Sequence, residues 1–138
     1  MVSFFRLLAR GVVAVCLSLC LLTTACSNTN ATSHLTGIYI DDTVTVAQNL
    51  LDTISLTQDD VSRPEAELES RALINEYTAR YRPQSQVNGL SSFTTMQTAV
   101  HSLAGHYASY ANRPLPDDLK ERLNKELKKA AASVVRGA

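Results

Sequence analysis

Residues 91–111, SSFTTMQTAVHSLAGHYASYA, carry the clearest apolar pattern in this chain. The apolar side chains recur every three or four positions, which is the spacing of one helix face and not the alternation of a strand. The alanines between them favour helix, and the serines at the start suit a helix N-terminus. We therefore predict an amphipathic helix that buries one stripe of side chains: Phe93, Met96, Val100, Leu103, Ala104 and Tyr107.

Three further stretches repeat this helical spacing. The first begins at Asp41 or Asp42, either of which can cap free backbone N–H groups. The second begins with Ser62 and Glu65, which are spaced as a capping box, and the last begins at Pro116. Their predicted apolar positions are Val44, Ala47, Leu50, Leu51 and Ile54 in the first, Ala66, Ser70, Leu73, Ile74, Tyr77 and Tyr81 in the second, and Leu119, Leu123, Leu127, Ala130, Ala131 and Val134 in the last.

No stretch of the chain predicts a strand convincingly, and the links between the predicted helices are short. Asn88-Gly89 indicates a turn in one of these links. Short links make neighbouring helices run antiparallel. The sequence therefore predicts an all-α fold, an up-down-up-down four-helix bundle over residues 41–138.

The start of the chain is typical of an export signal. A charged start is followed by an apolar stretch too short to span a bilayer, and the small residue Ala25 then precedes Cys26. A cysteine at the cleavage point is the pattern of a bacterial lipoprotein signal, and an ordinary cleaved signal is the alternative. We expect residues 1–25 to be removed, Cys26 to be lipidated, and residues 26–40 to act as a flexible tether.

Composition limits what the exported part can be. Removing 25 of the 138 residues leaves 113, which is the size of one small domain. Cys16 and Cys20 leave with the signal and Cys26 would carry lipid, so no disulfide is expected. The remaining 11 basic and 13 acidic side chains give a net charge of about −2, which excludes a general nucleic-acid reader. Acidic residues concentrate before Glu76 and basic residues after Arg80, so the two halves differ in sign.

The sequence offers no set of residues that suits catalysis or metal binding. His34 falls in the predicted tether, and His101 and His106 diverge by about 140° around a helix. Neither a nucleophile-elbow motif nor a glycine-rich loop is present. We therefore expect neither an enzyme nor a bound metal or cofactor, which leaves binding to another molecule.

Two features have more than one interpretation. The tyrosines at helical spacing are either core-edge residues with wet hydroxyls or the lining of a small-molecule pocket, which would need a cavity among Phe93, Met96 and Tyr107. The basic side chains of the last helix form either a solvated face or a surface for an acidic partner or anionic lipid. The tyrosines are Tyr77, Tyr81, Tyr107 and Tyr110, and the basic residues are Lys120, Arg122, Lys125, Lys128 and Lys129.

Several runs of the chain together resemble one known family. They are LTGIY at 35–39, GLSSFTTMQTA at 89–99, RPLP at 113–116 and LKERL at 119–123. In these runs the chain resembles the photosystem II eleven-kilodalton protein family, the small lumenal assembly and repair lipoproteins of photosystem II, in its cyanobacterial form. The resemblance covers nearly all of the chain after the predicted signal.

This resemblance implies a four-helix bundle held by lipid on the lumenal side of the thylakoid membrane. Family members there bind immature or damaged photosystem II through the large lumenal loop of the smaller inner-antenna subunit, before the extrinsic subunits dock. They keep the donor side accessible while the manganese cluster is assembled, without catalysis of their own. The expected partners are photosystem II intermediates and the thylakoid membrane, and the chain is expected to be a monomer. The alternative is a lipid-anchored helical bundle that binds a small molecule or a membrane surface.

We hypothesise that exposed polar residues contact the photosystem II partner. The candidates are Thr94 and Gln97, near the start of the third predicted helix, and Arg113 in the loop before the fourth, with Arg80 and Arg82 supplying charge. The alternative is that Thr94 and Gln97 only solvate the helix and that Arg113 caps a carbonyl group.

Overall fold

The computed structural model describes residues 34–110 and 113–137. This part of the chain is helical and contains no strand, which confirms the all-α prediction. Its five helices are α1 Tyr39–Ser55, α2 Arg63–Tyr81, α3 Ser85–Asn88, α4 Ser91–Ser109 and α5 Asp117–Val135. None of them is both long and apolar enough to cross a bilayer. The predicted signal peptide at 1–25 and the lipid site Cys26 lie outside the described residues.

The number of helices differs from the predicted four because the one-turn helix α3 precedes α4. The Gln84 carbonyl accepts hydrogen bonds from the amides of Val87 and Asn88, at 3.0 and 3.1 Å. The Val87 side chain is buried against the core and holds this turn in place. A four-residue helix is too short to show an apolar period, so the sequence indicates only a turn there.

Hydrogen bonds between the long helices show how they pair. The Thr43 hydroxyl near the start of α1 lies 2.9 Å from the Tyr77 hydroxyl near the end of α2. The Ser91 hydroxyl at the start of α4 lies 3.3 Å from the Ser133 hydroxyl near the end of α5. Both pairs are therefore antiparallel. Since α1 packs mainly on α2 and α5, and α4 mainly on α5, α1 and α4 lie at diagonal corners.

The bundle has two ends, which we name by a residue at each. The Asp42 end contains the first turns of α1 and α4 and the last turns of α2 and α5. The Arg63 end contains the last turns of α1 and α4 and the first turns of α2 and α5.

The predicted stripes supply most of the core, although Leu51, Ala66, Ala104, Leu119 and Ala131 are only partly buried. Phe93, Met96 and Leu103 of α4 are no more than 2% exposed, as predicted. Val44 was predicted in the core but is 37% exposed, whereas Val46 is fully buried. The buried face of α1 is centred near Thr43 and Leu50, and Val44 lies about 100° around the helix from Thr43.

The side-chain caps predicted for two helix starts do not form. Helix α1 begins at Tyr39, so neither Asp41 nor Asp42 is its N-cap. Ser62 does stand at the N-cap of α2, but it makes no side-chain capping bond. Its hydroxyl instead donates to Asp60 Oδ1 at 2.6 Å, so the predicted capping box does not form.

The ordered bundle begins before residue 41. Leu35 is 5% exposed and belongs to the hydrophobic core. The structure therefore places residues 35–40 in the bundle, and the predicted tether ends earlier than residue 40. The reason is a cluster of hydrogen bonds around Asp42.

Candidate functional site

Asp42 is the centre of a buried polar cluster, and this residue is only 1% exposed. Its Oδ1 accepts hydrogen bonds from the Thr36 amide and the Thr36 hydroxyl, both at 2.7 Å. Its Oδ2 accepts from the Gly37 amide at 2.9 Å and from the Tyr81 hydroxyl at 2.5 Å. A buried carboxylate is tolerated only when such bonds satisfy it. Asp42 therefore fixes the segment before α1 against the end of α2.

Two more links join helices at the same end. The Tyr77 hydroxyl bonds Thr43, and the Tyr39 hydroxyl lies 2.9 Å from the Ser92 hydroxyl on α4. The rings of Tyr39 and Tyr81 meet edge to face, with centroids 5.2 Å apart. Tyr77 and Tyr81 are 0% and 1% exposed, so the wet hydroxyls predicted for them are wrong. Their hydroxyls bond inside the core.

The protonation states in the cluster follow from burial and hydrogen bonding. Burial acts to raise the pKa of Asp42, but hydrogen bonds from Tyr81, Thr36 and Gly37 outweigh it and hold the pKa below its ordinary value. Burial, followed by the hydrogen bond to Asp42, raises the pKa of Tyr81. Burial likewise raises the pKa of Tyr77. The cluster therefore holds one fixed charge near neutral pH, which suits a structural role better than proton transfer.

The sequence offered one weak signal for this cluster. Asp42 was predicted only as a possible helix cap. The Thr36-Gly37 pair lies six and five positions before it, at the distance from which a loop can fold back on a first-turn carboxylate. The contribution of Tyr81, 39 residues away, has no local signal.

Four of the five predicted contact residues lie at the Asp42 end. Thr94 is exposed and Gln97 half-buried on the first turns of α4, while Arg82 is exposed just after α2. Arg80 forms an ion pair with Glu76, one turn earlier, at 3.4 Å. Thr94 donates to the Leu90 carbonyl at 3.2 Å.

Arg113 lies at the opposite end and does not join this group. Its position follows the end of α4, about 22 Å along the helix axis from Thr94. Its guanidinium carbon stands 5.6 Å from the Tyr110 ring centroid. Its carbonyl accepts a hydrogen bond from Arg63 at 3.3 Å and lies 3.3 Å from His106 Nε2. The five predicted residues therefore form two separate surfaces.

The histidines and acids do not gather into a ligand set within residues 34–110 and 113–137. No group of three or more histidine, cysteine, aspartate or glutamate side chains there could hold a metal ion. His101 is exposed on α4, and His106 is buried beside Arg113. Neither has a carboxylate partner of the kind that tunes a catalytic histidine in the contacts described.

Three grooves border α2 towards the Arg63 end. One, of about 430 Å³, is lined by Arg63, Glu67 and Arg71 among others. Another, of about 230 Å³, lies between Arg71 and Tyr107, and a third, of about 180 Å³, is lined by Arg63, Ile54 and Leu115 among others. Phe93 and Met96 line none of the three, because both are closed inside the core. The cavity that the small-molecule interpretation requires is therefore not among these grooves.

Comparisons with known proteins identify the family. The model of the Photosystem II Pbs27 family matches residues 5–134. The chain belongs to this family. It is 43% identical over 127 residues to the photosystem II assembly factor lipoprotein Psb27 of Thermosynechococcus vestitus, which covers 92% of this chain and 93% of the relative. It is 31% identical over 100 residues to the chloroplastic photosystem II repair protein PSB27-H1 of Arabidopsis thaliana, which covers 72% of this chain and 58% of that relative.

A solved structure from the same family shares the fold. The solution structure of Psb27 from cyanobacterial photosystem II matches with a TM-score of 0.71 at 49% identity, over 75% of this chain and 90% of that chain. These matches confirm the resemblance to a photosystem II protein family, under the name Psb27. The eleven-kilodalton name is not tested by them.

Proposed function

We propose that this protein is a photosystem II assembly and repair factor. The observation that carries the proposal is the 43% identity, over nearly the whole chain, to a protein named as a photosystem II assembly factor lipoprotein. The fold supports it, because a closed helical core leaves only the outer surface for recognition. In this proposal the protein binds its partner without catalysing a reaction and acts as a monomer.

The proposed place of action is the lumenal face of the thylakoid membrane. Residues 1–25 are removed on export, and lipid on Cys26 then holds the bundle at the membrane. A partner in the same membrane is met at high effective concentration, so a modest intrinsic affinity is enough for binding. Modest affinity also permits release, which a transient assembly factor requires.

The proposed partner is immature or damaged photosystem II, and the proposed docking point is the large lumenal loop of its smaller inner-antenna subunit. Binding precedes docking of the extrinsic subunits and keeps the donor side accessible while the manganese cluster is assembled. This step follows from the family resemblance. The bundle supplies a rigid surface for it, since the Asp42 cluster fixes three elements at one end.

We propose that this surface includes Thr94, Gln97 and Arg82 at the Asp42 end. Thr94 and Arg82 are exposed, and Gln97 is half-buried beside them on α4. Arg80 contributes less, because its guanidinium is already paired with Glu76. Arg113, at the Arg63 end, is proposed as a second and independent contact.

Affinity purification tests the function directly. The tagged full chain should recover photosystem II intermediates that lack extrinsic subunits, and it should not recover the mature complex. Equal recovery of mature and incomplete complexes, or recovery of neither, would contradict the proposal.

Single substitutions then identify the docking end. Arg82→Ala should reduce recovery of intermediates several-fold if the Asp42 end docks, whereas Arg113→Ala should do so if the Arg63 end docks. Both side chains are exposed, so helix content should not change in either variant. If both variants recovered intermediates as well as the wild type, neither arginine would belong to the docking surface.

A further inference from the structure

Large apolar side chains are exposed together at the start of α1. Ile38 is 57% exposed, Ile40 46% and Val44 37%. Ile40 and Val44 are four positions apart and share one face of the helix, with Ile38 directly before its first turn. The same face then becomes polar at Gln48 and Asp52. On α1, the exposed apolar surface is therefore confined to the first turns, and we call Ile38, Ile40 and Val44 the α1 patch.

The Asp42 end that carries this patch is positively charged. Within two helical turns of this end, together with the segment before α1 and the residues just after α2 and α5, five basic residues stand against three acidic ones, and one of the acids, Asp42, is buried and satisfied. An apolar patch beside excess positive charge is the chemistry of a surface that rests on anionic lipid headgroups. The basic residues are Arg80, Arg82, Lys128, Lys129 and Arg136, and the acidic ones are Asp41, Asp42 and Glu76.

The chain before the patch also limits its distance from a membrane. Eight residue steps separate Cys26 from His34, where the described structure begins. Such a segment spans at most about 28 Å when fully extended. If Cys26 carries lipid, as in the proposed function on which this inference rests, the Asp42 end cannot move far from the bilayer.

We propose that the α1 patch rests on the bilayer surface and orients the bundle there. Exposed aliphatic side chains gain from contact with the acyl boundary, and the exposed Lys128, Lys129 and Arg136 of the same end gain from anionic headgroups. Because α1 and α4 occupy diagonal corners, Thr94 and Gln97 on α4 remain accessible to a protein partner. Contact of the α1 patch with the bilayer is therefore separate from the proposed photosystem II contact on α4.

Tryptophan fluorescence tests this contact cleanly, because the chain contains no tryptophan. Ile40→Trp is made in the lipidated chain, which is reconstituted in vesicles of phosphatidylcholine and phosphatidylglycerol with brominated acyl chains. The matched control is Leu68→Trp, which is also helical and exposed but lies towards the Arg63 end. We expect at least about twofold stronger quenching for Ile40→Trp than for Leu68→Trp, with blue-shifted emission.

Vesicle flotation of the same samples separates this inference from the anchor. If both variants float but are quenched equally, the bilayer contact at the α1 patch is wrong while the anchor stands. If the lipidated chain without a tryptophan substitution does not float, the anchor is wrong and the patch proposal fails with it. Quenching of Ile40→Trp that appears only after photosystem II is added would also overturn the proposal, since the patch would then not reach the bilayer by itself.

Discussion

The two ends of the bundle differ in how completely their buried polar groups are hydrogen-bonded. At the Asp42 end, a carboxylate that is 1% exposed accepts four hydrogen bonds and joins three elements. Towards the Arg63 end, the Ser70 hydroxyl donates to Thr53 Oγ1 at 2.9 Å. Arg71 Nε and Tyr107 Oη, however, are buried without a hydrogen-bond partner among the described residues, and three grooves open along α2. Apolar packing forms the core of the whole bundle, and the dense hydrogen bonding around Asp42 fixes the segment by which the chain enters it.

The largest expected effect is at Asp42. Asp42→Ala leaves two amides and two hydroxyls of the cluster without their acceptor, and it should lower the free energy of unfolding by about 3–5 kcal/mol. Urea denaturation followed by circular dichroism measures this change. Asp52→Ala is the control on the same helix, because Asp52 is exposed and accepts from Gln48 one turn away. It should change stability by less than about 0.5 kcal/mol. Similar losses in both variants would show that the Asp42 end has no special role.

Two tyrosine hydroxyls sharpen the comparison. Tyr81→Phe removes the donor to Asp42 and should destabilise the fold by about 1–2 kcal/mol. Tyr107→Phe removes a buried hydroxyl that has no partner among the described residues, so stability should stay unchanged or rise slightly. Thermal unfolding of the two variants measures the difference. A larger loss for Tyr107→Phe than for Tyr81→Phe would reverse the proposed contrast.

Two glycines extend the contrast to the backbone. Gly37 has a φ of +90°, and a Cβ placed there would lie 3.2 Å from Arg80 Nη1, so Gly37→Ala should cost about 1 kcal/mol or more. Gly105 lies within α4, with nothing within 4 Å of an added Cβ. Gly105→Ala should therefore stabilise the fold by about 0.5–1 kcal/mol. Denaturant midpoints that move in the same direction for both would contradict this account of Gly37.

The pH dependence gives the smallest effect over the physiological range. The folded pKa of Asp42 is lowered from the ordinary 3.8, so its stabilisation is complete above pH 3.8 and is lost as the pH falls through the folded value. The raised pKa values of Tyr77 and Tyr81 stabilise the fold below pH 10 and lose that effect as the pH rises through the folded values. The Asp42 contribution should thus be flat between about pH 5 and 9. Asp42→Asn should not lose stability as the pH falls through the folded pKa of Asp42. Denaturant midpoints of this variant and the wild type, measured at several pH values, check this. A difference between the two midpoints that changes between pH 5 and 7 would contradict the charged state assigned to Asp42.

The sequence predicts the part of the fold that depends on local periodicity. Most predicted apolar positions of α4 and α5 are buried, because each long helix has a single buried face, and Ala104, Leu119 and Ala131 at its edges are partly buried. Val44 is exposed because it lies at the edge of the α1 stripe, where the packing of neighbouring helices decides exposure. Helix α3 was missed because one turn shows no period.

The arrangement of the candidate site depends on contacts distant in sequence. Asp42 and Tyr81 are 39 positions apart, and their hydrogen bond forms only once α1 and α2 have paired. Arg113 and Thr94 are both polar and exposed, and only the direction of α4 places them at opposite ends. The apolar period of the sequence therefore predicts which face of each helix is buried. Which exposed residues share one surface depends on how the helices pair.

Amide hydrogen exchange measured by NMR tests the central claim most directly. Thr36 and Gly37 precede α1, yet their amides donate to the buried Asp42 carboxylate. They should exchange at least about 100-fold more slowly than in an unstructured peptide, and Asp42→Asn should reduce that protection. If these two amides exchange in the wild-type chain at the rate of an open loop, the Asp42 cluster does not hold this end of the bundle.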